Sequence, residues 1–106
     1  MSPPNEIFIA TGRFESARHL DGLSKDHRCH AMHGHGFSAS AFAEASSFHE
    51  MTTLQDRMDT CIKQLNYRLL NEVVHQPSDT NLARWVLDYL ELPTVQQVSI
   101  QSTSDQ

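Results

Sequence analysis

The stretch from Cys29 to His35, Cys-His-Ala-Met-His-Gly-His, gathers one thiol and three imidazoles in a chain that has only 2 cysteines and 7 histidines. In an extended segment side chains alternate between faces, so His33 and His35 point the same way with Gly34 between them. Two imidazoles at that spacing can grip one metal ion from a strand, and the glycine lets an ion or a ligand come close to the backbone. Cys29 is near enough to serve as a ligand, or as a thiolate nucleophile or base. The plain alternative is a polar loop that happens to be rich in histidine, since His-x-His pairs also occur where nothing binds. His27 and His30 read as solvated loop residues, with either able to substitute as a ligand, and neither His49 nor His75 reads as functional.

The elements that must position this stretch follow from periodicity. Ile7 to Phe14, β-branched and aromatic, predicts a first strand. A polar connection from Asp21 to Arg28 is long for a hairpin. A second strand should run from about His33 to Glu44, where Ser38, Ala39, Ser40 and Ala41 leave room for a closely approaching helix or backbone. Leu54, Met58, Cys61, Ile62, Leu65, Leu69 and Leu70 then recur at helical steps, with Thr52 or Thr53 as the expected cap. Cys61 on that stripe reads as core. Pro77-Ser78-Asp79 breaks the pattern and caps a second helix, whose buried face is Leu82, Trp85, Val86, Tyr89 and Leu90, and Pro93 ends it. Val95 to Thr103 is a third strand, with Val98 and Ile100 on one face. Strand, strand, helix, helix, strand is an α+β pattern, an antiparallel sheet with both helices packed on one face.

Composition narrows the function classes. The chain has 106 residues, a length that fits one domain over residues 1–106, and it is 39% hydrophobic and 20% charged, as expected of a globular protein. No run of apolar residues is long enough for a membrane span, and the amino terminus lacks the pattern of a signal peptide. A cytoplasmic location and reduced cysteines are therefore expected. A formal charge of -5 without a Lys/Arg run excludes a nucleic-acid footprint. Small molecules and protein subunits are the expected partners.

Several motifs together carry a resemblance. Phe14-Glu15-Ser16-Ala17, Cys29-x-x-x-His33-Gly34-His35, Leu65-Asn66-Tyr67-x-x-Leu70-Asn71 and Pro77-Ser78-x-x-Asn81-Leu82-Ala83 resemble, in order and spacing, the 6-pyruvoyltetrahydropterin synthase and 6-carboxytetrahydropterin synthase family. Cys-x-x-x-His-Gly-His is similar to the signature of its bacterial, queuosine-pathway branch. The resemblance implies a tunnelling-fold subunit, edge-to-edge assembly into a homo-oligomeric barrel (a trimer or hexamer), and a pterin-type small molecule as ligand. It implies zinc held by three histidines, with His33 and His35 matching two of them and His19 the best placed for the third. It also implies Cys29 as the cysteine that moves protons in a lyase-type conversion of dihydroneopterin triphosphate.

The match departs from the family pattern at several chemical positions. The family's first histidine ligand falls where this chain has Arg18, and His19 follows one place later; a one-residue slip in a strand turns a side chain to the other face unless a bulge intervenes. The Asp-His pair of the family is Asn66-Tyr67 here. Asn66 cannot ionise, and a phenol is a poor proton shuttle at neutral pH. The family's late glutamate, which anchors the pterin ring, is Ser102, so a charged two-acceptor contact is lost. The chain also lacks a clear fourth strand, as a first copy in a tandem fusion with a following second domain would. Two expectations result: a zinc-dependent pterin synthase with altered machinery, or a catalytically silent pterin-synthase-like domain that completes a barrel or binds a pterin without turnover.

Overall fold

The computed structural model of the chain describes residues 6–20 and 33–103. Strand β1 (Glu6–Arg18) pairs antiparallel with β2 (His33–Ala45), and β2 pairs antiparallel with β3 (Val95–Thr103), giving a sheet in the order β1-β2-β3. Helix α1 (Phe48–Leu65), a short 3-10 turn (Leu70–Glu72) and helix α2 (Asp79–Leu90) connect β2 to β3. The fold is α+β with the element order expected from periodicity.

Both helices cover one face of the sheet. Helix α1 lies mainly over β1 and α2 mainly over β3, so β2 runs beneath the pair. This is why β2 carries small residues there: Ala39, Ala41 and Ala43 are buried, and a larger side chain would hold the helices away from the sheet. Leu54, Met58, Cys61 and Leu65 of α1 and Leu82, Val86 and Leu90 of α2 complete the core with Phe14, Phe37 and Ile100. At Gly12 the helix comes closest to β1. A Cβ built there would stand 2.5 Å from Cγ1 of Ile62. Val98 and Ile100 pair with Ala41 and Ala39 and share the core face, as simple alternation requires; the ladder's one irregularity lies between Phe42 and Ala43.

The structure corrects three local expectations. Strand β1 runs past Phe14 to Arg18; its polar end is held by ladder bonds to β2 and by the segment after α1, which propensity does not reveal. Helix α1 begins at Phe48, not near Thr52. Its N-cap is Ser47, whose hydroxyl accepts from the Glu50 amide at 3.1 Å, while the Glu50 carboxylate accepts from the Ser46 and Ser47 hydroxyls. Ser47-Phe48-His49-Glu50 has the spacing of a capping box, with the Glu50 carboxylate reaching back to the Ser47 hydroxyl. The helix also stops at Leu65, so Leu69 and Leu70 leave the helical stripe. Asn66 closes the helix in extended backbone, Tyr67 follows at φ 54°, and Leu70 is buried from the 3-10 turn. Helix α2 starts as expected, with Ser78 accepting from the Asn81 amide at 3.1 Å.

Candidate functional site

The ends of the three strands meet at one end of the sheet. The β1–β2 ladder is unbroken from Glu6↔Ala45 to Arg18↔His33, and it pairs Ser16 with His35 and Phe14 with Phe37. Phe37 pairs in turn with Ser102. Cross-strand partners share a face, so Phe14, Ser16, Arg18, His35, Phe37 and Ser102 all lie on the helix-covered side. His33 opens β2, though its side chain lies outside the described part, and Cys29, His27 and His30 lie outside the described residues altogether.

Phe37 organises the described side chains. Its ring stacks on Phe14 with centroids 4.8 Å apart, takes the tilted ring of His35 at 5.8 Å, and carries the Arg18 guanidinium 5.0 Å from its centroid. His35 is buried, and Arg18 is only 4% exposed. A guanidinium so deep needs charged and polar partners. Its Nη1 donates to Oδ1 of Asp79 at 2.8 Å and to the Pro77 carbonyl at 2.9 Å, and the Ser102 hydroxyl donates to the other Asp79 oxygen at 3.2 Å. One carboxylate at the first position of α2 thus joins the end of β1 to the end of β3. Arg18 Nε is buried without a hydrogen-bond partner.

The segment after α1 closes the outer edge of β1. Asn66 Oδ1 accepts from the Glu15 amide at 2.9 Å, the Tyr67 amide donates to the Glu15 carbonyl at 2.7 Å, and the Ala17 amide donates to the Arg68 carbonyl at 2.9 Å. The Ser16 hydroxyl donates to the Leu65 carbonyl and accepts from the Arg68 amide. Just past the strand, Asn71 grips the His19 peptide on both sides, accepting from its amide at 3.0 Å and donating to its carbonyl at 2.9 Å. The Tyr67 side chain is 81% exposed. It borders a cleft of about 340 Å³ with Arg13, Glu15, Gly36, Asn66 and Thr103. Glu15, Gly36 and Thr103 are cross-strand neighbours, on the face away from the helices.

These placements bear on a metal. Zinc needs three protein donors converging with an open position, or four closed around it. The ladder puts Arg18, not His19, across from His33, and no bulge in it turns β1 over before Arg18. Among the described residues no group of three or more His, Cys, Asp or Glu stands ready to hold a metal ion. The position across the ladder from His33 is thus held by a side chain that cannot ligate a metal. Sequence reasoning placed Arg18 and Ser102 as departures from a pattern, but it missed Asp79, which joins them; the acidic residue after a cap reads as ordinary helix chemistry.

The arrangement defines a class first: an α+β subunit with an antiparallel sheet, covered on one face by two helices, whose polar residues collect where the strand ends meet. The family model for 6-pyruvoyl tetrahydropterin synthase matches residues 8–105, and the chain belongs to that family. A solved structure of the Caenorhabditis elegans 6-pyruvoyl tetrahydropterin synthase superposes with a TM-score of 0.72 at 15% sequence identity, over 97% of this chain and 97% of that one. At that identity the likeness establishes the tunnelling fold. A comparison with curated protein sequences returns no match. No helix among the described residues is long and apolar enough to cross a membrane.

Proposed function

We propose that this chain is a pterin-synthase-like domain that forms part of a pterin-binding barrel and does not complete the synthase reaction by itself. The observation that carries this reading is how the residues at the family's chemical positions are used. The Asn66 amide oxygen caps the β1 edge at Glu15, Tyr67 turns outward, and the Ser102 hydroxyl is bound to Asp79. None of these offers the ionised pair or the free carboxylate that proton transfer and pterin anchoring call for in the family. A cytoplasmic, homo-oligomeric assembly belongs to the same reading, with a neighbouring subunit or a following second domain supplying what this chain does not.

The other reading, a zinc-dependent conversion of dihydroneopterin triphosphate with Cys29 moving protons, draws on His33 and His35 standing two residues apart at the start of β2. One experiment separates the two. Purified chain is incubated with dihydroneopterin triphosphate and added zinc, product is followed by chromatography, and pterin binding is followed by fluorescence. Binding without product supports the proposal. Turnover that disappears in Cys29→Ala would refute it.

A further inference from the structure

We infer that Arg18 is the resident positive centre of this site and that it keeps a dication off His33 and His35. The argument rests on position and partners. Histidines two places apart in one strand have the spacing at which two donors for a dication are found, and a third would come most directly from the paired residue on the neighbouring strand. That residue is Arg18, directly across from His33. A guanidinium has five donors and no acceptor, and it stays charged at all accessible pH values, so it can neither ligate a metal nor yield its charge to one.

The guanidinium is also fixed in place. Asp79 holds it by charge, the Pro77 carbonyl by a second hydrogen bond, and the Phe37 ring by its face. His35 packs on that same ring, so the cation and the imidazole share a wall. Through Asp79 and Ser102 the network reaches β1, α2 and β3 at once, the kind of tie that a bound ion makes between elements. Burial of Arg18 with its Nε unpartnered is a poor arrangement for a residue whose only task is packing.

The inference rests on the proposed function only for the location of the site, and its test is independent of turnover. The whole chain, an Arg18→His variant and a His33→Ala/His35→Ala variant are dialysed against zinc, and metal content is measured beside thermal unfolding. The native chain is expected to hold no more zinc than the His33→Ala/His35→Ala variant. Arg18→His is expected to gain about one equivalent, with an unfolding temperature that rises with zinc and falls with chelator. A native chain that binds an extra equivalent through His33 and His35 would overturn the inference, as would a folded Arg18→His variant that gains none. Should Arg18→His not fold, the first comparison decides alone. Pterin binding and turnover, measured separately, judge the functional reading.

Discussion

Removing one member of the Arg18–Asp79 pair should cost far more than removing the other, because the partners left behind sit in different surroundings. Asp79→Ala leaves a guanidinium whose side chain is 4% exposed with the Pro77 carbonyl as its remaining hydrogen-bond partner among the described residues. Breaking a fully buried pair costs about 3–5 kcal/mol when the charge left behind stays buried. Asp79 is itself 38% exposed, so water relieves part of that penalty, and the Ser102 hydrogen bond adds about 1 kcal/mol to it. We expect Asp79→Ala to cost about 2–4 kcal/mol. Arg18→Met instead leaves a carboxylate that water, Ser102 and the first turn of α2 can still satisfy, and it places an apolar chain against Phe37, so about 1 kcal/mol is expected.

For a domain of this size each kcal/mol moves the unfolding temperature by roughly 4–8 °C, and Asp79→Ala should lie at least about 8 °C below the native chain. Urea unfolding is followed by fluorescence of Trp85, which stacks on Tyr89 with ring centroids 5.3 Å apart. The double variant completes a thermodynamic cycle in which the helix-terminus contribution of Asp79 cancels. A coupling of about 1–3 kcal/mol is expected. If the coupling is indistinguishable from zero, or if Arg18→Met costs as much as Asp79→Ala, the buried-cation account of the site is wrong.

Three further expectations concern the scaffold. Gly12→Ala should lose about 1–3 kcal/mol by overpacking, since its Cβ would stand 2.5 Å from Cγ1 and 2.9 Å from Cδ1 of Ile62, and Ile62→Ala in the same chain should recover part of that loss in urea titrations. Burial pushes the Cys61 thiol up to about 12. The protonated form is thus favoured in the fold, and the stability it contributes is complete below the ordinary thiol range near about 8.5 and is lost as pH rises toward 12. Between pH 8 and 10.5 the native chain should lose about 2 kcal/mol more than Cys61→Ala. Glu91 ends α2 at φ 51° and ψ 32°, a left-handed conformation that favours glycine, so Glu91→Gly should raise stability by about 0.5–1 kcal/mol; a fall would show that the glutamate side chain holds the turn.

The parts of the molecule legible in the sequence are those where one period governs a whole segment. Strand β3 spans Val95 to Thr103 and alternates from Val98 onward, and α2 has both an apolar stripe and a cap at Ser78. The errors fall where long-range contacts override local pattern. Glu15 to Arg18 has no strand-like composition, yet it is extended because β2 bonds one side of it and residues 66–69 bond the other. Leu69 and Leu70 keep the spacing of α1 but not its backbone, because Asn66 and Tyr67 turn aside to close the β1 edge. Ser47 and Glu50 carry the spacing of a helix start as plainly as the threonines that follow, and the helix begins there.

The site shows the same division more sharply. That His33 and His35 share a face follows from alternation, whatever the rest of the chain does. What opposes them depends on register, and register is fixed far away, by the pairing of Ile9 with Phe42 and Ala10 with Ala41 as much as by the residues at the site. A slip of one residue would bring His19 across from His33; the observed ladder brings Arg18 there. The identity of the positive centre at this end of the sheet is therefore decided by the hydrophobic pattern of the whole β1–β2 pair, which must keep Ala10 and Phe14 under α1 and cannot shift without exposing both. Asp79 meets Arg18, and Ser102 meets Asp79, from segments more than sixty residues beyond Arg18 in sequence, which no local motif can announce. A sequence match to two histidines of a metal site thus fixes a face, while the third position, and with it the choice between a metal ion and a guanidinium, belongs to the fold.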